Sequence, residues 1–157
     1  MGPTLAQRTR STVKARLLLK EEVVLAVPKG HPLAGQGAVR PEELCRYPLI
    51  SLCRGRAMRD IEDILCAQGG ITPHRSVECD TPAILRSLVT QGLGIAFAAS
   101  RSWFVEPDNQ VQLIPLAPRH WRYVTLHPAP QLLNDPAILL LCKEIQSFFR
   151  SISPEMI

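Results

Sequence analysis

The sequence predicts an α/β fold, and three stretches carry that expectation. Residues 80–100, DTPAILRSLVTQGLGIAFAAS, read as a capped helix, a tight glycine turn and a buried strand. Residues 23–27 are a continuous β-prone run, Val-Val-Leu-Ala-Val, closed by Pro28. Such a run without polar alternation is expected of a strand covered on both faces. Residues 57–68 place Met58, Ile61, Ile64 and Leu65 at helical spacing and stop at Gly69-Gly70. On pattern alone these are the helices and strands of any α/β core.

Order begins near Glu22 with the first strand. Lys29-Gly30-His31-Pro32 follows as a turn, and His31 is read as a turn residue rather than a ligand. Pro41, Glu42 and Glu43 start a short helix, since proline and acids suit a helix N-terminus. Residues 47–52 are the second strand, with Pro48 at its start, where a missing donor is tolerated. The polar loop Cys53-Arg54-Gly55-Arg56 leads into the helix over 57–68, and Val77 lies in a short strand. Thr81 is placed to cap the next helix, because its hydroxyl can accept from a first-turn amide. Pro82 then falls at the first helical position. Ile84, Leu85, Leu88 and Val89 make that helix's apolar face, Gly92 ends it, and residues 94–99 form a buried strand. Trp103 and Phe104 suggest an apolar helical turn. Residues 111–116 and 121–126 read as two modest strands. Asn134 or Asp135 caps a last helix begun by Pro136 and lined by Ile138, Leu141, Cys142, Ile145, Phe148 and Phe149.

The chain has 157 residues, enough for one ordinary domain or two small lobes. Its net charge of +4 is modest and does not by itself argue for nucleic acid. Residues 1–20 are basic, but without aromatic interleaving or a helix-turn-helix pattern they read as a leader rather than a nucleic-acid arm. No apolar run reaches the length of a membrane span, and the N-terminus has no secretory apolar core, so a cytoplasmic chain is expected. The five cysteines form no Cys-x-x-Cys pair and no zinc-ligand spacing, and are read as free, largely buried thiols.

No dinucleotide fingerprint, Walker loop, nucleophile elbow or His-Glu-x-x-His is present. His74, His120 and His127 stand alone. No residue qualifies as a nucleophile, so binding is expected rather than catalysis, with no metal and no cofactor. One place suits an anion. A strand end, the loop 53–56 and a helix N-terminus make a natural anion site, with Arg54 and Arg56 alongside. On pattern alone those arginines are read first as a solvated surface, with the anion site as the alternative.

Four blocks in order carry a resemblance: LLLKEEVVLAVPKGHPLAG, EELCRYPLIS, RDIEDILCAQGGITP and LRSLVTQGLGIAFAAS. From about Leu17 to Phe149 the chain resembles the effector-binding domain of LysR-type transcriptional regulators. The resemblance implies an α/β, periplasmic-binding-protein-like (type 2) fold. Two lobes would be joined by crossing strands, with one lobe complete here and a remnant of the other. On that mapping 1–16 is a basic leader, 17–27 the first crossover strand and 28–120 the effector-binding second lobe. Residues 121–150 are the return crossover and final helix of the first lobe, and 151–157 a tail. The family's helix-turn-helix and most of its first lobe have no counterpart, so a shortened regulator is expected, its final helix exposing an apolar face unless something covers it.

The implied function is sensing of a small anionic effector by a homo-oligomeric regulator. DNA would be reached only through an N-terminal domain this chain lacks, and no membrane is involved. The alternative is a non-regulatory small-molecule binding protein of the same fold. The expected effector contacts are Ser51 and Thr81 through hydroxyls and Arg54 through charge, with Leu52 and Asp80 beside them. Some members sense peroxide with a cysteine pair. Here Cys66 matches the second position, but Ala57 occupies the reactive one and Cys53 is displaced, so thiol sensing is not expected.

Overall fold

The computed structural model describes residues 15–101, 103 and 110–152. Its strands are β1 (Arg16–Pro28), β2 (Leu49–Leu52), β3 (Arg75–Cys79), β4 (Ala96–Ala99) and β5 (Val111–Leu126). Its helices are α1 (Ala57–Gln68), α2 (Pro82–Thr90) and α3 (Pro136–Ile152), with short 3-10 turns at Pro41–Arg46 and Pro130–Leu132. The chain divides into two compact units. One is Glu21–Arg122, and the other is formed by Met1–Lys20 and Tyr123–Ile157. The leader before residue 15, Phe104 and the tail from 153 lie outside the described residues.

Within the unit Glu21–Arg122, β1 lies between β4 and β5. It runs antiparallel to β4, with Val23 opposite Ala99 and Ala26 opposite Ala96. β2 and β3 pair in parallel, and a bridge between Leu49 and Ile95 ties β2 to the residue that leads into β4. Both faces of β1 are buried, as its unbroken apolar run requires. Val23, Leu25 and Val27 enter one core cluster with Leu49, Leu65 and Cys66, so α1 covers that face. Val24 and Ala26 enter another with Ile50, Leu52, Leu85 and Val89, so α2 covers the opposite face. The two-residue period of a strand sorts its side chains between the clusters.

The turn into β4 depends on two glycines. Gly92 has φ +77°, the left-handed region where a side chain is strained. Gly94 lets the chain pass against β2. A Cβ there would lie 2.5 Å from the Pro48 carbonyl oxygen. That closeness permits the Ile95 amide to donate to Pro48 at 3.0 Å and the Ile50 amide to donate to Ile95 at 2.8 Å.

Several elements differ from the sequence expectation. Residues 111–126 form one strand rather than two. β5 is an edge strand, where Pro115 and Pro118 cost no ladder donor, and the bond from Val39 N–H to the Pro115 carbonyl supports its first half. The Ala117–Pro118 peptide in it is cis. The buried face of α1 is rotated from the one expected. Arg59, Glu62, Leu65 and Cys66 are buried, while Ile64 is exposed. In α2, Leu85 and Val89 are buried but Ile84 is exposed. Trp103 is buried in a turn, with the Arg86 guanidinium 6.0 Å from its ring centre. Glu21 is also buried. It accepts from Arg122 Nε at 2.6 Å and from the Arg101 amide at 3.3 Å.

In the other unit, Asp135 rather than Asn134 caps α3, accepting from the Ala137 amide at 2.8 Å. Cys142 is buried, and Arg16 Nη1 donates to Gln146 Oε1 at 2.9 Å. Leu139, Leu140, Leu141, Phe148 and Ile152 are exposed. Of the expected apolar line on α3, Leu141 and Phe148 therefore face solvent, while Ile138, Ile145 and Phe149 are half-buried. No described helix is long and apolar enough to cross a membrane.

Candidate functional site

The parallel pair β2–β3 ends on one edge of the unit Glu21–Arg122, and each strand is followed by a helix N-terminus. β2 runs into the loop 53–56 and α1, and β3 runs through Asp80 and Thr81 into α2. The Cys53 amide donates to the Cys79 carbonyl at 2.9 Å, so the two exits stay side by side. Gly55, at φ +86°, makes the bend that turns the first exit into α1. The Arg56 side chain does not cap α1; the Arg56 carbonyl accepts from the Arg59 and Asp60 amides, and the Ala57 and Met58 amides are left open. Helix N-termini carry partial positive charge, so two of them at neighbouring strand ends favour an anion. Arg54 and Arg56 are exposed on the loop between them.

The expected contact residues divide into two groups. Arg54, Asp80 and Thr81 are exposed on this edge. Thr81 caps α2 as expected, accepting from the Ile84 amide at 3.3 Å, and its own O–H proton is left to donate. Ser51 and Leu52 lie inside. The Ser51 hydroxyl is fully buried on the α1 side and donates to Glu62 Oε1 at 2.8 Å. The Leu52 side chain packs in the α2-side core, and its carbonyl accepts from Arg59 Nη1 at 2.9 Å. Both residues therefore reach the edge through backbone rather than side chain.

Beneath the edge lies a charged network that apolar periodicity did not anticipate. Arg59 Nε donates to Asp63 at 3.1 Å, and Arg59 Nη1 donates to Glu78 Oε1 at 2.7 Å. Arg75 Nε donates to Glu62 Oε1 at 2.8 Å, and Arg75 also pairs closely with Asp63. Burial pushes the Glu62 carboxyl above its ordinary range, against the opposing pull of the Ser51 hydroxyl and Arg75. A signal was present in the sequence. Arg59, Glu62 and Asp63 stand at i, i+3 and i+4, and Arg75 and Glu78 stand on the neighbouring strand.

The cysteines near this edge are not activated. Burial, then the neighbouring Asp80 carboxylate, raises the Cys53 thiol. Burial and nearby Glu62 push Cys66 up to about 11. A thiolate is the reactive form, so both positions disfavour thiol chemistry at neutral pH. All five cysteines are free. Cys66, Cys79 and Cys142 are buried as expected, but Cys45 is exposed.

The sequence profile of the LysR substrate binding domain matches residues 2–149. The chain belongs to the LysR substrate binding domain family. The family is one of transcriptional regulators. A probable RuBisCO transcriptional regulator of Cyanophora paradoxa is 27% identical over 149 residues, which are 87% of this chain and 44% of the relative. The chain thus spans less than half of that curated relative. Among solved structures, the effector binding domain of QuiR in complex with shikimate aligns with a TM-score of 0.76 at 20% identity, covering 92% of this chain and 68% of that one. The regulatory domain of Synechocystis PCC6803 CcmR in complex with 2-PG aligns with a TM-score of 0.76 at 15% identity, covering 91% and 71%. These likenesses establish the periplasmic-binding-protein-like α/β fold of a LysR effector domain.

Proposed function

We propose that this LysR domain senses a small carboxylate at the edge built by the ends of β2 and β3. The observation that carries the reading is the pairing of two helix N-termini at adjacent parallel strand ends, with Arg54 on the loop between them. The carboxylate of the effector takes the open amides at the start of α1 and the Arg54 guanidinium. Thr81 donates its hydroxyl proton, and Asp80 accepts from hydroxyl groups of the effector. Ser51 and Leu52 serve this site from inside, as the strand end on which the loop is mounted. Residues 28–120 are then the effector-binding lobe.

The family and the QuiR and CcmR complexes support this reading, and shikimate, a hydroxylated carboxylate, is a rational first probe. The domain acts by binding, and the ligand is recovered unchanged. In the whole protein it serves a homo-oligomeric, cytoplasmic regulator that meets DNA through a separate helix-turn-helix segment. A thermal-shift screen of small carboxylates, shikimate included, tests the reading. At least one is expected to raise the melting temperature of the wild-type chain and to lose that effect in Arg54→Ala. No response across the panel contradicts the site.

A further inference from the structure

We propose that Arg59 is the positioning residue of this effector edge: it fixes the end of β2, and with it the loop 53–56, against the end of β3. The role rests on the effector reading above and goes beyond it, because Arg59 lies buried beneath the edge and acts through the strand ends. Arg59 is 3% exposed and sits in the first turn of α1. Its guanidinium meets three elements at once. Nη1 donates to the Leu52 carbonyl, the last of β2, at 2.9 Å, and to Glu78 of β3 at 2.7 Å. Nε donates to Asp63 of α1 at 3.1 Å.

The contacts continue into a ring. Asp63 is shared with Arg75 of β3, Arg75 holds Glu62 at 2.8 Å, and Glu62 takes the Ser51 hydroxyl of β2 at 2.8 Å. Ser51 and Glu78 are partners across the β2–β3 pair, so the ring closes through the sheet. Stability alone does not require such a device. Apolar side chains of similar volume hold a helix on a sheet without the cost of burying charge. What a guanidinium adds is direction, since its planar fork sets angles and spacings that an apolar contact leaves free. Here the fork spans the two strand ends from which the effector loop and the Asp80–Thr81 segment depart. Arg59 also offsets the Glu78 carboxylate, which stands two residues before Asp80, and so limits negative charge beside an anion site.

The test separates this role from packing. Asp63 and Glu78 are each about half exposed, at 47% and 46% for their side chains. In Arg59→Met water can solvate them, so the fold is expected to survive. Amide hydrogen exchange of the ligand-free full chain is then compared with wild type. Exchange of the Cys53 amide, which donates to the Cys79 carbonyl at 2.9 Å, is expected to rise about tenfold, the loss of roughly one hydrogen bond, while β1 and β4 amides stay protected. Unchanged Cys53 exchange, or a uniform rise across the fold, overturns the positioning role. Inorganic phosphate, titrated at constant ionic strength and followed by amide NMR, supplies the second readout. Shifts at residues 54–58 and 81–84 in wild type, weakened several-fold in the variant, support the role. Equal shifts in both chains overturn the positioning role and leave the site reading standing. No shift in wild type contradicts the site reading and the role with it. Should Arg59→Met fail to fold, Arg59→Lys carries the exchange test, because a single nitrogen does not reproduce the separate Nη1 and Nε positions from which Arg59 reaches Leu52, Glu78 and Asp63.

Discussion

Glu62 is the residue whose chemistry departs furthest from its position in a helix. It is 2% exposed, and burial holds its carboxyl above the ordinary glutamate value of about 4.3. The sign of the pH effect follows. The folded chain holds this proton more tightly than the unfolded chain, so the group's contribution to stability falls as pH rises from that ordinary value through the raised folded value, and is flat beyond it. Glu62→Gln removes the group. In urea melts between about pH 4 and pH 7, the variant is expected to gain on wild type as pH rises. A variant that loses ground over the same range contradicts the assignment. By apolar pattern Arg59 and Glu62 read as polar positions between apolar ones, and their charge spacing alone did not place them inside. Pattern reasoning put Met58, Ile61, Ile64 and Leu65 inside because it weighs apolarity and not pairing. The buried charges could be placed only once β3 brought Arg75 and Glu78 under the helix.

At the scale of elements, the stretch 80–100 behaves much as its residues dictate. Thr81 caps α2, Gly92 ends the turn beyond it, and β4 is buried throughout. Local chemistry decides each of these, which is why one sequence sufficed to read them. Gly94 is different, since its need comes from the distant Pro48 carbonyl. Gly94→Ala forces backbone against backbone, and a loss of about 1–3 kcal/mol is expected, measured by denaturant unfolding. A change within a few tenths of a kcal/mol would mean that the β2–Ile95 approach is looser than the 3.0 Å bond from the Ile95 amide implies. The break expected between residues 116 and 121 did not occur for a similar reason. Prolines interrupt an inner strand, but β5 lies at an edge, and edge position is a property of the sheet rather than of the segment.

For the whole molecule, the family and its α/β fold were legible because four separate blocks had to recur in one order, and the profile over residues 2–149 establishes them. The edge proposed for the effector could be drawn in outline, since a strand end, a glycine bend and a helix start are local features. The division of labour within it could not. Arg54, Asp80 and Thr81 stand exposed, while Ser51 and Leu52 are core residues whose side chains point to opposite faces of the sheet. That split depends on the covering of both faces of β2, which its own residues do not set. The central claim is that a small carboxylate binds where β2 and β3 end. Its most direct test is amide NMR of the wild-type chain with the carboxylate that gives the largest thermal shift. Saturable shifts confined to residues 52–58 and 79–84, abolished in Arg54→Ala, are the predicted result. Saturable binding that maps elsewhere, or that persists unchanged in Arg54→Ala, would contradict it.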